Sequence, residues 1–258
     1  NKFIIVDANS TNNSWIMGGS TNWTNPSNLF NDYNNIIFIQ DKSIAQAYTT
    51  ESNEMWGGVF GSNKEDNTPH LFNVNGTDVE VYFSPSDQTT SHILQFIHNV
   101  DYSLEFGLLS FTRDDIGSSI IDKEGEFGVN IRGIIEMQNG TGSEYDNLIN
   151  GGVNVRSHMG VTHSFHHKYA IADVGVSASD PTVLTGSHNW SSNAENSSDE
   201  EISILGTVWQ LDRNSSSSKF SGHGQVLYFF SGDAYQTYKS RKFSDWNSFS
   251  AVDARDLV

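Results

Sequence analysis

No cysteine occurs among the 258 residues. That absence excludes disulfides, thiolate nucleophiles and cysteine-based zinc sites, and leaves histidines and carboxylates as the groups able to carry chemistry. Cationic residues are scarce as well. Fourteen Lys and Arg stand against 31 Asp and Glu, for a net charge of -17. This is the wrong sign for a broad phosphate-binding face, so a phosphate-bearing substrate would have to be recognised locally. Long apolar runs are lacking too: none approaches the ~20 residues a bilayer helix requires, and a soluble chain is expected. Asn1-Lys2-Phe3-Ile4-Ile5-Val6-Asp7 has neither the basic nor the apolar region of a signal peptide. It opens instead like a buried strand, so further residues are expected ahead of Asn1. The acidic, Asn/Ser/Gly-rich composition suits a secreted protein, and an extracellular or periplasmic location is expected.

What is present is ordinary globular material. Hydrophobic residues make up 36%, with 16 Phe, 9 Tyr and 6 Trp, enough for one large domain or two modest ones. Short β-branched and aromatic runs predict strands at Phe3–Val6, Ile36–Ile39, Val79–Phe83, Ser103–Phe111, Val129–Ile135, Val153–Arg156, Tyr169–Ala172 and Thr182–Leu184. Helical periodicity covers Ser43–Trp56, stopped by Gly57-Gly58, and Thr89–Val100, with Ile93, Leu94, Phe96, Ile97 and Val100 on one face. Strands alternating with helices predict an α/β fold, a mixed sheet flanked by helices. The polar, turn-rich stretch 61–78 reads as a linker between a unit at 1–60 and one at 79–258. Within the latter, Arg213–Gly222 reads as a loop, Val226–Phe230 as a strand and Ala234–Trp246 as a helix in a C-terminal extension.

One pattern occurs twice. His166-His167-Lys168 and Asp173 are followed by Gly186-Ser187-His188-Asn189-Trp190 and then by Glu200-Glu201-Ile202. Near the start, Lys2 and Asp7 are followed by Gly19-Ser20-Thr21-Asn22-Trp23 and then by Asn34-Asn35-Ile36. Order, residue type and spacing agree. The paired motifs H-x-K-x(4)-D and G-S-x-N resemble those of the phospholipase D superfamily, most members of which carry them twice. The second copy is complete; the first fits at Lys2, Asp7, Gly19, Ser20 and Asn22, and its histidine would fall immediately before Asn1. The resemblance runs from Asn1 to about Leu205 and implies two units related by an approximate two-fold axis, the first incomplete, facing each other across one cleft.

A histidine, a lysine and an asparagine gathered at a strand and a neighbouring turn can hold one tetrahedral phosphate. Lys168 supplies a point charge, Asn189 and Ser187 neutral donors, and His166 an imidazole; Lys2, Asn22 and Ser20 repeat the set. The resemblance implies a phosphodiester hydrolase, acting on phospholipid or nucleic acid, without metal or other cofactor. One histidine attacks phosphorus and the other serves as acid and then base. In that scheme an upstream segment of the same protein supplies the nucleophilic histidine and His166 the acid and base. Glu200 is expected to hold an active-site imidazole, its counterpart in the first copy being the neutral Asn34; Asp173, Asp7, Gly186 and Gly19 are expected to be structural. The competing readings are a phosphatidyl-type transferase, a catalytically incomplete phosphate-binding module, a site shared by two chains, and a metal cluster of His158, His163, His166, His167 and His188. Trp23 and Trp190 are expected in the core, and Asp199 and Glu201 on a solvated face.

Overall fold

A computed structural model describes residues 1–24, 31–158, 160–174, 176, 178–206 and the backbone of 225–230. The first part of the chain forms β1 (Ile4–Val6), β2 (Trp15–Gly19), β3 (Asn35–Gln40), α1 (Lys42–Trp56), β4 (Leu71–Val74) and β5 (Thr77–Ser84). Then come α2 (Thr89–His98), β6 (Ser103–Leu108), α3 (Asp114–Glu124), β7 (Asn130–Ile135), α4 (Tyr145–Asn150) and β8 (Asn154–Ser157). The complete motif copy lies on β9 (Lys168–Ala172), β10 (Thr182–Gly186), α5 (Ser192–Asn196) and β11 (Glu200–Leu205), and β12 (Gln225–Phe230) follows. The fold is mixed α/β. Eight strands make one sheet, ordered β4-β5-β11-β10-β9-β6-β7-β8, and four make a second, ordered β1-β2-β3-β12. The β6–β7 and β7–β8 pairs are parallel, as the crossover helices α3 and α4 between them require; the other pairs are antiparallel.

Helix α1 starts where Asp41 caps it, its carboxylate accepting from Ser43 N (2.8 Å) and Ile44 N (2.9 Å). It buries Ile44, Ala45, Ala47 and Tyr48. Two apolar cores result. One packs α2, α3 and α4 against the large sheet through Ile93, Phe96, Ile116, Ile120 and Leu148. The other joins Ile16, Ile37, Ile39 and Tyr48 to Val74, Val79, Val81, Phe83 and Leu205.

That second core alters the expected division of the chain. Residues 61–78 are not a spacer. They contain β4, which pairs with β5, and Lys64, whose buried ammonium lies 2.5 Å from Glu51 and 3.4 Å from Asp199. Polar composition hid a segment tied down by ion pairs and by one hairpin. The small sheet also draws on both ends of the chain, since β12 pairs with β3. The opening strand is a second correction. It lies at the sheet edge, and Ile4 and Val6 are 39% and 46% exposed, because one partner strand covers one side of it only. The loop expected at Arg213–Gly222 and the helix at Ala234–Trp246 lie outside the described residues. Among the described residues no helix is long and apolar enough to cross a membrane.

Candidate active site

The two G-S-x-N segments leave the ends of β2 and β10, and each is tied to the start of a neighbouring strand in the same way. Ser20 N donates to Asn35 O (3.0 Å) and Asn35 N donates back to Ser20 Oγ (2.9 Å). Ser187 N donates to Glu201 O (3.0 Å) and Glu201 N to Ser187 Oγ (3.2 Å). The serine hydroxyls extend the parallel: Ser20 Oγ donates to Asn34 Oδ1 (3.0 Å) and Ser187 Oγ to Glu200 Oε2. Both motif glycines have positive φ, +132° at Gly19 and +150° at Gly186. A Cβ there would stand 2.4 Å from Asn35 O and 2.1 Å from Glu201 O. Hydrogen bonding thus gives Asn34-Asn35 and Glu200-Glu201 the same local role.

The contacts between the two halves are crossed. His166, just ahead of β9, is bonded through Nδ1 to Asn34 Oδ1 at 2.9 Å. Lys2 donates to Glu200 Oε2 (3.4 Å), and Asn1 N lies 3.7 Å from the same oxygen. Glu200 therefore faces the first motif copy and His166 is held by the first copy's neutral amide, whereas the sequence had left open which imidazole Glu200 would meet. Asn34 Oδ1 only accepts, which puts the His166 proton on Nδ1 and the lone pair on Nε2. The backbone fixes the ring further: His166 N donates to Tyr33 O (2.8 Å), Tyr33 N to Ser164 O (2.8 Å), and Ser164 N to Asp32 Oδ1 (3.1 Å). Beside this, Glu136 Oε2 meets His158 Nδ1 (2.8 Å) and accepts from Phe165 N (3.2 Å). Tyr33, Asp32 and Glu136 carry no motif signal and were not legible as parts of the site, and His158 entered the sequence reading only as a candidate metal ligand.

Lys168 is 2% exposed; it donates to His166 O at 2.9 Å, and its Nζ lies 3.4 Å from His166 Nε2. Burial, then the charge of Lys2, lowers its pKa to about 7, against the attraction of Glu200. Burial also lowers that of His166, to about 4, helped by the charges of Lys168 and Lys2. The Lys2 charge, which disfavours charge on Lys168 and on His166, makes this a place where an anion is favoured. Asn22 and Asn189 stand two residues beyond the serines, each partly buried, and Asn189 Oδ1 is enclosed without a hydrogen-bond partner.

Asp173 is remote in role from this cleft. Burial works against its charge, but Ser179 Oγ (2.6 Å) and the amides of Tyr102 (2.7 Å), Ser103 (2.8 Å) and Asp101 (3.1 Å) hold its pKa below the usual range. It anchors the start of β6. Asp7 shares its positive φ, +49° against +57°, but is exposed and works through its carbonyl, which accepts from Ser10 N and Ser14 Oγ at 2.7 Å.

Two expectations fail. Glu201 is not on a solvated face: it is 1% exposed, because β11 is paired on both sides and this residue points toward the small sheet, accepting from Gly19 N at 3.1 Å. Trp190 is fully buried against Phe111, but Trp23 is 50% exposed and outside the core. Among the described residues the candidate metal histidines do not form a group of converging ligand atoms. His158 meets Glu136 (2.8 Å), His167 meets Asn35 (3.2 Å), and His188 meets Thr89 (3.0 Å).

The amide partner yields a prediction. Asn34→Asp would set a carboxylate against His166 Nδ1 and raise the imidazole pKa by about one to three units. The alkaline limb of the kcat/KM profile for a substrate with an alkyl leaving group, where His166 loses the proton it gives, is expected to move to higher pH by that amount; an unmoved limb would mean that His166 is not the proton donor.

A family model described as "Cardiolipin synthase, PLD-like domain" matches residues 93–210. No curated protein matches the chain. Similar solved structures include Nuc from Salmonella typhimurium, titled a phospholipase D family member, with 25% identity over 50% of this chain and 82% of that one at a TM-score of 0.42. NucT from Helicobacter pylori shows 20% identity over 50% of this chain and 85% of that one, also at 0.42. A phosphatidylserine synthase from Haemophilus influenzae Rd KW20 shows 10% identity over 83% of this chain and 64% of that one at 0.48. The family match takes in the whole complete copy of both motifs, and the sequence repeats them from Lys2 to Asn22: residues 93–210 are a phospholipase D-like domain.

Proposed function

We propose that the chain is the greater part of a phosphodiester hydrolase that works with two imidazoles and no catalytic metal. The observation that carries this reading is the neutral His166 beside Lys168, with Lys2 brought in from the first motif copy. The phosphate sits between the two lysines, with Ser20, Ser187, Asn22 and Asn189 on the same cleft, and the two motif copies are related by an approximate two-fold axis. The second imidazole belongs to a residue immediately ahead of Asn1 and rests against Glu200.

In the first step that imidazole attacks phosphorus, the bond from phosphorus to the leaving oxygen breaks, and His166 gives its proton to that oxygen. In the second, His166 takes a proton from water, the hydroxide attacks phosphorus and the phosphorus–nitrogen bond breaks. A pKa lowered to about 4 by burial and by the charges of Lys168 and Lys2 fits a residue that acts together with a bound anion. The phosphate offsets Lys2 and Lys168, two of the causes that hold the pKa down, and so raises it toward the range in which His166 can donate. Phospholipid and nucleic acid both offer the required diester. With its surplus of acidic residues, recognition is confined to this cleft rather than spread over a basic face.

Hydrolysis of bis(4-nitrophenyl) phosphate with and without EDTA, well below the unfolding temperature, tests the metal-free part. Equal rates are expected. A complete loss that added zinc restores would overturn it in favour of a histidine-held metal.

A further inference from the structure

One buried cation is tied to both motif copies at once, although it lies in neither. Lys64, between α1 and β4, has a fully enclosed side chain, and its Nζ lies 2.5 Å from Glu51 Oε1 on α1 and 3.4 Å from Asp199 Oδ1. Glu51 Oε1 also accepts from Asn1 Nδ2 at 3.2 Å. Asp199 Oδ1 also accepts from Gly61 N at 2.9 Å, and the Asp199 carbonyl accepts from Asn1 N. A lysine taken wholly out of water needs anionic partners. Here one comes from α1 and the other from the residue just ahead of β11.

The two residues held in this way stand next to residues of the cleft. Asn1 precedes Lys2, Asp199 precedes Glu200, and Lys2 Nζ meets Glu200 Oε2 at 3.4 Å. The other half of the cleft shows what such a hold does. Asp199 stands ahead of Glu200 as Tyr33 stands ahead of Asn34, and the Tyr33 carbonyl accepts from His166 N (2.8 Å) as the Asp199 carbonyl accepts from Asn1 N. The residue just ahead of Lys168, His167, meets the Asn35 amide at 3.2 Å. The residue just ahead of Lys2 is Asn1, and there an ion pair takes the place of the amide. Burial raises the Glu51 pKa against the hydrogen bond and charge of Lys64. Apolar side chains of similar volume would stabilise the fold as well as a buried ion pair does. The pair differs from them in fixing Asn1 and Asp199 in one geometry.

We propose that Lys64 and Glu51 are positioning residues of the phosphate site: their buried pair holds Asn1 and Asp199 together and so sets the reach of Lys2 to Glu200 and to a bound phosphate. This role rests on the phosphodiester reading, from which it takes the phosphate between Lys2 and Lys168. The segment between α1 and β4 contributes no group to the cleft, yet through Lys64 it acts on it.

The test is titration of residues 1–258 with inorganic phosphate by calorimetry at low ionic strength, beside thermal unfolding of the same samples. Glu51→Met/Lys64→Met replaces the pair by apolar side chains of similar volume and leaves the net charge as it was. A thermal midpoint no lower than that of the unaltered chain is expected. Phosphate affinity should nonetheless fall at least about tenfold, the share of one charge-assisted hydrogen bond. A merely structural pair would leave that affinity where it was once the midpoint is kept. Asn1→Ala removes only the contact with Glu51, and decides the matter should the double variant fail to fold; it should weaken phosphate severalfold with the midpoint unmoved. Undiminished affinity in either folded variant would overturn the positioning role alone. Absence of phosphate binding by the unaltered chain would overturn the phosphodiester reading and this role with it.

Discussion

A protein that carries a histidine immediately ahead of Asn1 is expected to hydrolyse a phosphodiester with an alkyl leaving group roughly 10²–10⁴ times faster than residues 1–258 alone, the span that general acid–base catalysis supplies. An alkoxide leaves poorly unless it is protonated, and a phosphohistidine needs a second group to activate water. One imidazole cannot be nucleophile and acid in the same step. The crossed geometry supports the place proposed for the second. His166 is held by Asn34 of the first copy, and Glu200 of the second copy has Lys2 at 3.4 Å and Asn1 N at 3.7 Å. In the proposed scheme this carboxylate orients the imidazole of a histidine immediately ahead of Asn1. Unlike Asn34, Glu200 can stabilise a positive imidazole. Glu200→Gln in the longer protein should therefore lower kcat and move the pH profile without lowering the thermal midpoint. Equal activity of the longer protein and of residues 1–258 would refute the need for the second histidine.

Gly186→Ala is expected to cost about 3 kcal/mol or more of stability and to lower the thermal midpoint by about 6–12 °C. At φ +150° any side chain is strained. The added Cβ would also meet the Glu201 carbonyl at 2.1 Å, and that carbonyl is fixed because it accepts from Ser187 N. The strand start and the serine turn must separate, taking the Ser187 hydroxyl away from Glu200. Gly19→Ala meets Asn35 O at 2.4 Å and should behave alike. Calorimetry decides it: a midpoint unchanged in both variants would mean that the turns relax freely and do not hold the serines in place.

The motif residues were legible because they are close in sequence and repeat: His166, Lys168, Ser187 and Asn189 in one copy, Lys2, Ser20 and Asn22 in the other. Repetition also matched Asn34 with Glu200. The crossing was not legible, because spacing along a chain says nothing about which half a side chain reaches. Glu201 read as surface since an acidic run ordinarily is, but the strand it starts pairs it opposite Phe83, with both edges occupied. Trp23 and Trp190 follow equivalent asparagines, yet one is exposed and the other buried. Trp190 finds Phe106 and Phe111 above the large sheet, a setting that the small sheet does not repeat around Trp23. Six strands of the large sheet followed from their β-branched and aromatic runs, whereas β11 opens on the acidic pair Glu200-Glu201 and β4 was hidden in a segment whose polarity suggested a spacer. Lys64 illustrates why, as a lysine buried between Glu51 and Asp199, the latter far along in sequence.

The most direct measurement is the pre-steady-state time course of bis(4-nitrophenyl) phosphate hydrolysis by the longer protein bearing His166→Ala. Nitrophenolate departs without protonation, so the first step does not need His166, whereas water in the second step does. A burst of about one nitrophenolate per chain is expected, followed by slow turnover, with the remaining 4-nitrophenyl phosphoryl group held on nitrogen in a form lost in acid. Steady turnover at the unaltered rate, with neither burst nor bound phosphate, would contradict the assignment of His166 and the two-imidazole site with it.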